Sequence, residues 1–345
     1  MKKNDFNFLK KLCQENGTSG NEKNIKNIIV KEISPYAEDI KVDNLGNIIV
    51  FKEGKKRPNT KLLMAAHMDE IGLICTFITE DGYIGFDKIG GIEDKILPGL
   101  TVNIGKNNIP GVIGIKPIHL CDTLERKTPI LSKDLLIDIG ASSKKQALKY
   151  VDIGDHIYFK SEFNVSNGII SGKALDDRAG CSILVQMIKS NLDFDTYFAF
   201  TVQEEIGLRG AKVACHNVNP DSAIVVEATT ACDIPEVSPS NQICKVNEGV
   251  VISFMDKKTI YDKEYYKLAI DSAKQNKIKY QIKQGVSGGN DAGAIQTSRN
   301  GVRTLALSVP CRYLHTPKGI ISQEDYFSTA NLAMIMAEKI CDIPT

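Results

Sequence analysis

Two apolar patterns near the start of the chain repeat at helical spacing. Phe8, Leu9 and Leu12 share one face of residues 5–16, and Ile25, Ile28, Ile29 and Ile33 share one face of 21–33, with Gly17 and Pro35 as stops. A hairpin is predicted next, from 40–42 to 47–51 with its turn at Asn44-Leu45-Gly46, and then a short apolar strand at 61–66 that ends on His67. Between 71 and 165 the pattern changes. Short apolar runs at 73–79, 83–89, 100–104, 111–116, 135–139 and 156–160 are separated by Gly, Asn and Asp turns, which predicts a small β-rich module. Beyond it strands and helices alternate: strands at 196–202, 222–227, 250–254, 278–283 and 303–309, helices at 206–217, 262–276, 291–298 and 322–341.

That alternation predicts an α/β fold, a mixed sheet flanked by helices on both faces. The expected organisation is one α/β catalytic domain, residues 1–70 and 166–345, interrupted by an inserted small β-barrel-like domain at 71–165. A chain of 345 residues is long for a single core, and the change of texture accounts for the excess.

Composition narrows the partners. The formal net charge is +1 and no long Lys/Arg block appears, so the electrostatic footprint of a nucleic-acid binder is missing. No run approaches the ~18 apolar residues of a membrane span, and the N-terminal stretch is too polar for the core of a secretory signal. Nine scattered cysteines without a C-x-x-C pair read as reduced thiols. A soluble, cytoplasmic protein with no nucleic-acid or membrane partner is expected.

The chemistry concentrates at strand ends. Glu204 and Glu205 close the apolar run 196–202, where two adjacent acids have no packing role and must be solvated or hold something. His67, Glu227 and His315 also follow predicted strands. Asp176-Asp177 precedes a helical run, where the pair could equally cap the helix. Each residue alone has an ordinary explanation as a turn, cap or ion-pair group. Together they sit at the carboxyl edge of one α/β sheet, which is where such folds bind ligands. Imidazoles and carboxylates without cysteine suit two divalent ions, Zn, Co or Mn, with one carboxylate bridging them at ~3.5–4 Å. Past the strand end, one acid of the Glu204-Glu205 pair can ligate while the other deprotonates a water. Asp69 is placed to hold the second nitrogen of His67. His119, in an irregular loop of the insertion, could lean over the site. The Gly-rich run from Gly285 to Asp291 lacks a P-loop ending and reads as a tight turn lining a pocket. Arg209, Arg312 and Lys318 could meet an acidic substrate or simply hold turns.

Five segments in order, Ala65-Ala66-His67-Met68-Asp69-Glu70-Ile71-Gly72, Gly172-Lys173-Ala174-Leu175-Asp176-Asp177-Arg178-Ala179-Gly180, Glu204-Glu205-Ile206-Gly207-Leu208-Arg209-Gly210-Ala211, Ser287-Gly288-Gly289-Asn290-Asp291-Ala292-Gly293-Ala294 and Pro310-Cys311-Arg312-Tyr313-Leu314-His315, resemble the tetrahedral (TET) and glutamyl aminopeptidase family of dinuclear metallopeptidases. The resemblance implies His67, Asp176, Glu205, Glu227 and His315 as metal ligands, with Asp176 bridging and often followed by a cis bond. It implies Glu204 as the catalytic base and Asp69 as the residue orienting His67. It also implies an insertion that mediates dimerisation, dimers that build a hollow dodecamer, and short peptides as substrates. Glu227 stands where many members have Asp, Asn290 where Thr is common and Gln296 where His is common. The expected function is removal of N-terminal residues from short peptides. A deacylase or carboxypeptidase on the same scaffold, or a metal-stabilised self-assembling scaffold without activity, are the alternatives. The preferred N-terminal residue, the physiological metal and the size of the oligomer stay open.

Overall fold

The computed structural model describes residues 6–37, 39–124 and 126–343. Its main sheet has eight strands in the order Asp39–Val42, Ile48–Lys52, Thr196–Thr201, Leu62–His67, Ser222–Thr230, Arg303–Cys311, Val250–Ile252 and Tyr280–Ile282. The four central strands, from Thr196–Thr201 to Arg303–Cys311, are parallel, while Ile48–Lys52 and Val250–Ile252 join antiparallel. The sheet is therefore mixed, as the sequence predicts.

Helices cover both faces because the central strands alternate two apolar surfaces. In Leu62–His67 the residues Leu62, Met64 and Ala66 join the larger core with Phe198, Phe200 and the helices Leu175–Ile188 and Gln323–Cys341. Leu63 and Ala65 face the opposite layer with Ala199, Ala223 and Ala306. That second surface is built largely of alanine, so the helix Arg209–Val218 packs close through Ala211 and Ala214.

The six strands Gly72–Ile78, Ile84–Ile89, Ile137–Asp138, Ile109–Ile113, Thr101–Ile104 and His156–Phe159 close into a barrel around a core of their own that includes Leu73, Ile84, Ile104 and Ile137. A three-stranded sheet of Asn164–Ser166, Ile169–Gly172 and Gly319–Ser322 adjoins it in sequence. Several element ends differ from the sequence reading. The helix expected from 206 begins at Arg209, because Glu204 to Leu208 form a turn in which Gly207 N–H donates to the Glu204 carbonyl at 2.9 Å and Leu208 takes a φ of +57°. The run expected at 135–139 pairs only over Ile137–Asp138.

A buried charge cluster ties the N-terminal helices to this frame. Glu70 accepts from Lys173 Nζ at 2.6 Å, Arg178 Nη2 at 3.4 Å and the Gly17 amide at 3.0 Å, while Arg178 Nη1 donates to the Leu12 carbonyl at 2.7 Å. Removing the shared anion would leave two buried cations. Glu70→Ala is expected to cost about 3–5 kcal/mol in urea denaturation. A loss below about 1 kcal/mol would mean that the cations find other compensation.

Candidate metal centre and active site

The carboxyl ends of the parallel strands bring His67, Glu204, Glu205 and His315 to one edge of the sheet, and Glu227 joins them from inside Ser222–Thr230, a strand that runs three residues past the end the sequence predicts. Asp176 arrives from the start of Leu175–Ile188, and its peptide bond to Asp177 is cis. The two neighbouring acids separate completely. Asp176 points into the crevice, whereas Asp177 is fully buried and accepts from the Gly180 amide at 2.9 Å and the His67 amide at 3.3 Å. Residue 180 has to be glycine, since a Cβ there would lie 2.4 Å from the Asp177 carboxylate and 2.5 Å from the Val226 carbonyl. Asp177 thus takes the helix-capping part that the pair as a whole could have played.

Asp176 divides its oxygens between two imidazoles. Its Oδ1 lies 3.3 Å from His67 Nε2 and its Oδ2 lies 3.5 Å from His315 Nε2, which is 3.4 Å from Glu205 Oε2. Among the described residues three groups could hold a metal ion, each with donor atoms within 4.8 Å of one another: His67, Asp176 and Glu227; Asp176, Glu205 and His315; and His67, Glu204 and Glu205. The first two share Asp176. The third draws in Glu204, so geometry alone does not separate base from ligand. Glu227 Oε2 is buried without a hydrogen-bond partner, an oxygen that lacks only an electrophile. The nitrogen and oxygen donor set fits a divalent cation.

Asp69 contacts His67 less through its carboxylate than the sequence suggests. His67 Nδ1 lies 3.1 Å from the Asp69 backbone carbonyl and 3.5 Å from Asp69 Oδ1. The carboxylate instead accepts from the Glu204 amide at 3.0 Å, the Glu205 amide at 3.1 Å and Ser19 Oγ at 2.6 Å. It fixes the turn that carries both glutamates. Sequence reasoning missed Ser19 and also Glu22, whose carboxylate accepts from the Gln203 amide at 3.2 Å. The only trace of them is a small polar run between two helices.

Electrostatics divide the acids. Burial, and then the neighbouring Asp291, Glu205 and Asp176, hold the Glu204 carboxyl well above its usual range against the pull of His67. Burial lifts Glu205 to about 7 and drives Glu227 well up. At Asp176 burial is outweighed by hydrogen bonds to His315 and His67, and the group stays ionised. His315 rises to about 9, its burial overcome by Asp176 and Glu205. A bound cation would favour the charged carboxylates and the neutral imidazoles instead.

Beside this cluster lies a cavity of about 450 Å³, bounded by Asp176, Glu204 and Glu227 at one end and by Ser287 to Asn290 along a wall. The Gly-rich turn therefore lines the pocket. The barrel abuts the cluster itself, because a Cβ on Gly91 would lie 3.2 Å from His315 Nδ1 and one on Gly90 3.3 Å from Glu205 Oε2. Asn290 donates to the Tyr261 hydroxyl at 3.0 Å, and Gln296 to the Ile260 carbonyl at 2.6 Å, so both serve as structural hydrogen-bonding groups. His119 is exposed in a single turn, Ile118–Leu120, and joins none of the three groups.

The family model for M42 glutamyl aminopeptidases matches residues 46–332. The chain belongs to this family. It is a peptide hydrolase of the aminopeptidase class. A candidate aminopeptidase of Acetivibrio thermocellus is 38% identical over 97% of this chain and 98% of its own length. The lysyl aminopeptidase of Pyrococcus furiosus is 30% identical over 97% of each chain. Among solved structures, the TET1 peptidase of Pyrococcus horikoshii, which assembles into a tetrahedron or a large octahedral shell, superposes with a TM-score of 0.85 at 39% identity, covering 96% of this chain and 98% of that one. Among the described residues of this M42 member, no helix is long and apolar enough to cross a membrane.

Proposed function

We propose that this family member is a dinuclear metal aminopeptidase that removes N-terminal residues from short peptides. His67, Asp176, Glu205, Glu227 and His315 form its donor set and Glu204 is its general base. The observation that carries this reading is Asp176, one carboxylate set between two groups of donors and facing an imidazole with each oxygen. Two divalent cations, Zn or Co before Mn, would polarise the scissile carbonyl there and acidify the attacking water.

The chain's own residues do the rest. Glu204 takes the proton from the attacking water, and its raised affinity for that proton suits it to hand the proton on to the leaving amine. Asp69 fixes the turn from which Glu204 and Glu205 project. The Ser287 to Asn290 wall bounds the cavity, and the barrel turn at Gly90-Gly91 stands against Glu205 and His315. The substrate's free amine sits against the acidic end of the cavity, which an N-acylated peptide cannot satisfy. That separates this reading from a deacylase.

We assign the domain division at 71–165 to a barrel that serves as lid and dimer surface. Its segment beyond the strand Ile109–Ile113 exposes Ile115, Ile118, Leu120, Leu124 and Leu131, an apolar set suited to a second copy. Dimers would then build a closed shell, up to a dodecamer. All nine cysteines are free, which suits a reducing cytoplasm.

The reading is tested by stripping the protein with a chelator and restoring Zn, Co or Mn while turnover of a panel of aminoacyl anilides is followed. Turnover is expected to vanish and return, and N-acetylated substrate to stay intact. Because their surroundings raise His315 to about 9 and Glu205 to about 7, cation uptake must displace protons. Apparent affinity should therefore rise about tenfold per pH unit for each proton displaced, up to those values. Turnover that survives complete stripping would refute the metal reading.

A further inference from the structure

The Ser287 to Asn290 wall ends on a buried hydrogen-bond chain in which every proton has an address. Asp256 Oδ1 accepts from the Lys258 and Thr259 amides, both at 2.8 Å, and its Oδ2 accepts from the Tyr261 hydroxyl at 2.5 Å. A carboxylate that holds two amides is kept as an acceptor. Burial, and then Asp256 and Glu227, hold the Tyr261 hydroxyl well above its usual value, so its proton stays on the bond to Asp256. The Tyr261 oxygen is left to accept, and it takes Asn290 Nδ2 at 3.0 Å. Asn290 Oδ1 in turn accepts from the Ala292 amide at 2.9 Å, which settles the two ends of the side-chain amide.

An amide nitrogen carries two hydrogens. One is used on Tyr261, and among the described residues the other has no partner. Asn290 is 6% exposed and lines the cavity of about 450 Å³ that Asp176, Glu204 and Glu227 bound at one end. A buried donor without a partner is costly unless something that enters the cavity takes it. After burial, Asp291 leads the acids that raise Glu204, so the segment that carries Asn290 runs beside the base. The cations that the sequence points to are placed differently. Arg312 is committed to Asp233 through a two-pronged pair at 2.8 and 2.6 Å, and Arg209 and Lys318 are exposed and do not line this cavity.

We infer that Asn290 gives its free hydrogen to the carbonyl oxygen of the peptide bond that is cut, and that Tyr261 and Asp256 aim it. The inference rests on the aminopeptidase reading of the cavity. With the substrate amine at the carboxylate end, the carbonyl of the same residue is the next group along the chain, and the water that Glu204 deprotonates has to reach its carbon. As the water oxygen bonds to that carbon and the proton passes to Glu204, the carbonyl electron pair moves onto the carbonyl oxygen. A donor already oriented there gains most when that charge develops. Asn290 is then a catalytic residue, and Tyr261 and Asp256 are positioning residues that act through it.

The test compares Asn290→Thr with Asn290→Val in the metal-loaded, full-length protein on a panel of aminoacyl anilides. Thr and Val have nearly the same shape, and only Thr keeps a hydrogen to give. Asn290→Thr should stay within about tenfold of wild type, whereas Asn290→Val should lose on the order of 100-fold in kcat with little change in KM. Metal content and melting temperature should match in the two variants. Tyr261→Phe keeps Asn290 and removes its aim, and should lower kcat about tenfold, again with little change in KM. A kcat for Asn290→Val equal to that of Asn290→Thr overturns the inference, and so does a loss that falls on KM alone. If Asn290→Val does not fold, Tyr261→Phe decides, and an unchanged kcat overturns the inference. All of these outcomes leave the aminopeptidase reading intact. If the wild-type protein cleaves no anilide with Zn, Co or Mn, that reading falls and takes the inference with it.

Discussion

Glu204→Gln should keep the fold and the bound cations and lose on the order of 10³-fold in kcat, with little change in KM. The substitution keeps the shape and removes only the capacity to accept a proton. Glu204 is anchored from its backbone by Asp69, so a neutral side chain inherits the same placement. Burial, and then Asp291, Glu205 and Asp176, hold its carboxyl well above the usual range, so its surroundings strengthen its hold on a proton. Kinetics on aminoacyl anilides, paired with metal content by mass spectrometry, separate the outcomes. Turnover near wild type would move the base elsewhere. Loss of a cation would instead make Glu204 a ligand, as its membership of the group with His67 and Glu205 allows.

Asp176→Asn should be more damaging, with activity reduced by roughly 10⁴-fold and both cations lost together. Asp176 belongs to two of the three donor groups and holds an imidazole with each oxygen. An amide offers one oxygen and no charge, so neither half of the cluster keeps its donor set. His315→Ala, by contrast, removes a donor from one group only and should release one cation. Metal stoichiometry of the two variants decides the matter. Equal stoichiometry in both would mean that Asp176 is not shared between ions.

The sequence reveals most where one physical demand dominates. The strands Leu62–His67 and Thr196–Thr201 are visible because burial on both faces leaves them almost wholly apolar, and their ends place His67 and the Glu204-Glu205 pair correctly at the sheet edge. The barrel is visible as a change of rhythm. The strand Gly319–Ser322 is not, because four residues that run straight into a helix capped by Ser322 carry no period of their own. Contacts between distant residues are equally hidden. Glu70 meets Lys173 across 103 positions and Asp69 meets the Glu204 amide across 135. Neither pairing has a local signature, so the sequence shows the Asp69 contact with its neighbour His67 and hides the turn that Asp69 also supports.

The pair Gly90-Gly91 stands on the barrel and touches side chains of the catalytic half. The insertion is thus no accessory that could be trimmed to obtain a smaller enzyme. Excising it would remove the backbone that stands against Glu205 and His315, and a bulky residue at either glycine would press on those two donors. A change to the barrel surface at this turn is therefore also a change at the edge of the donor cluster.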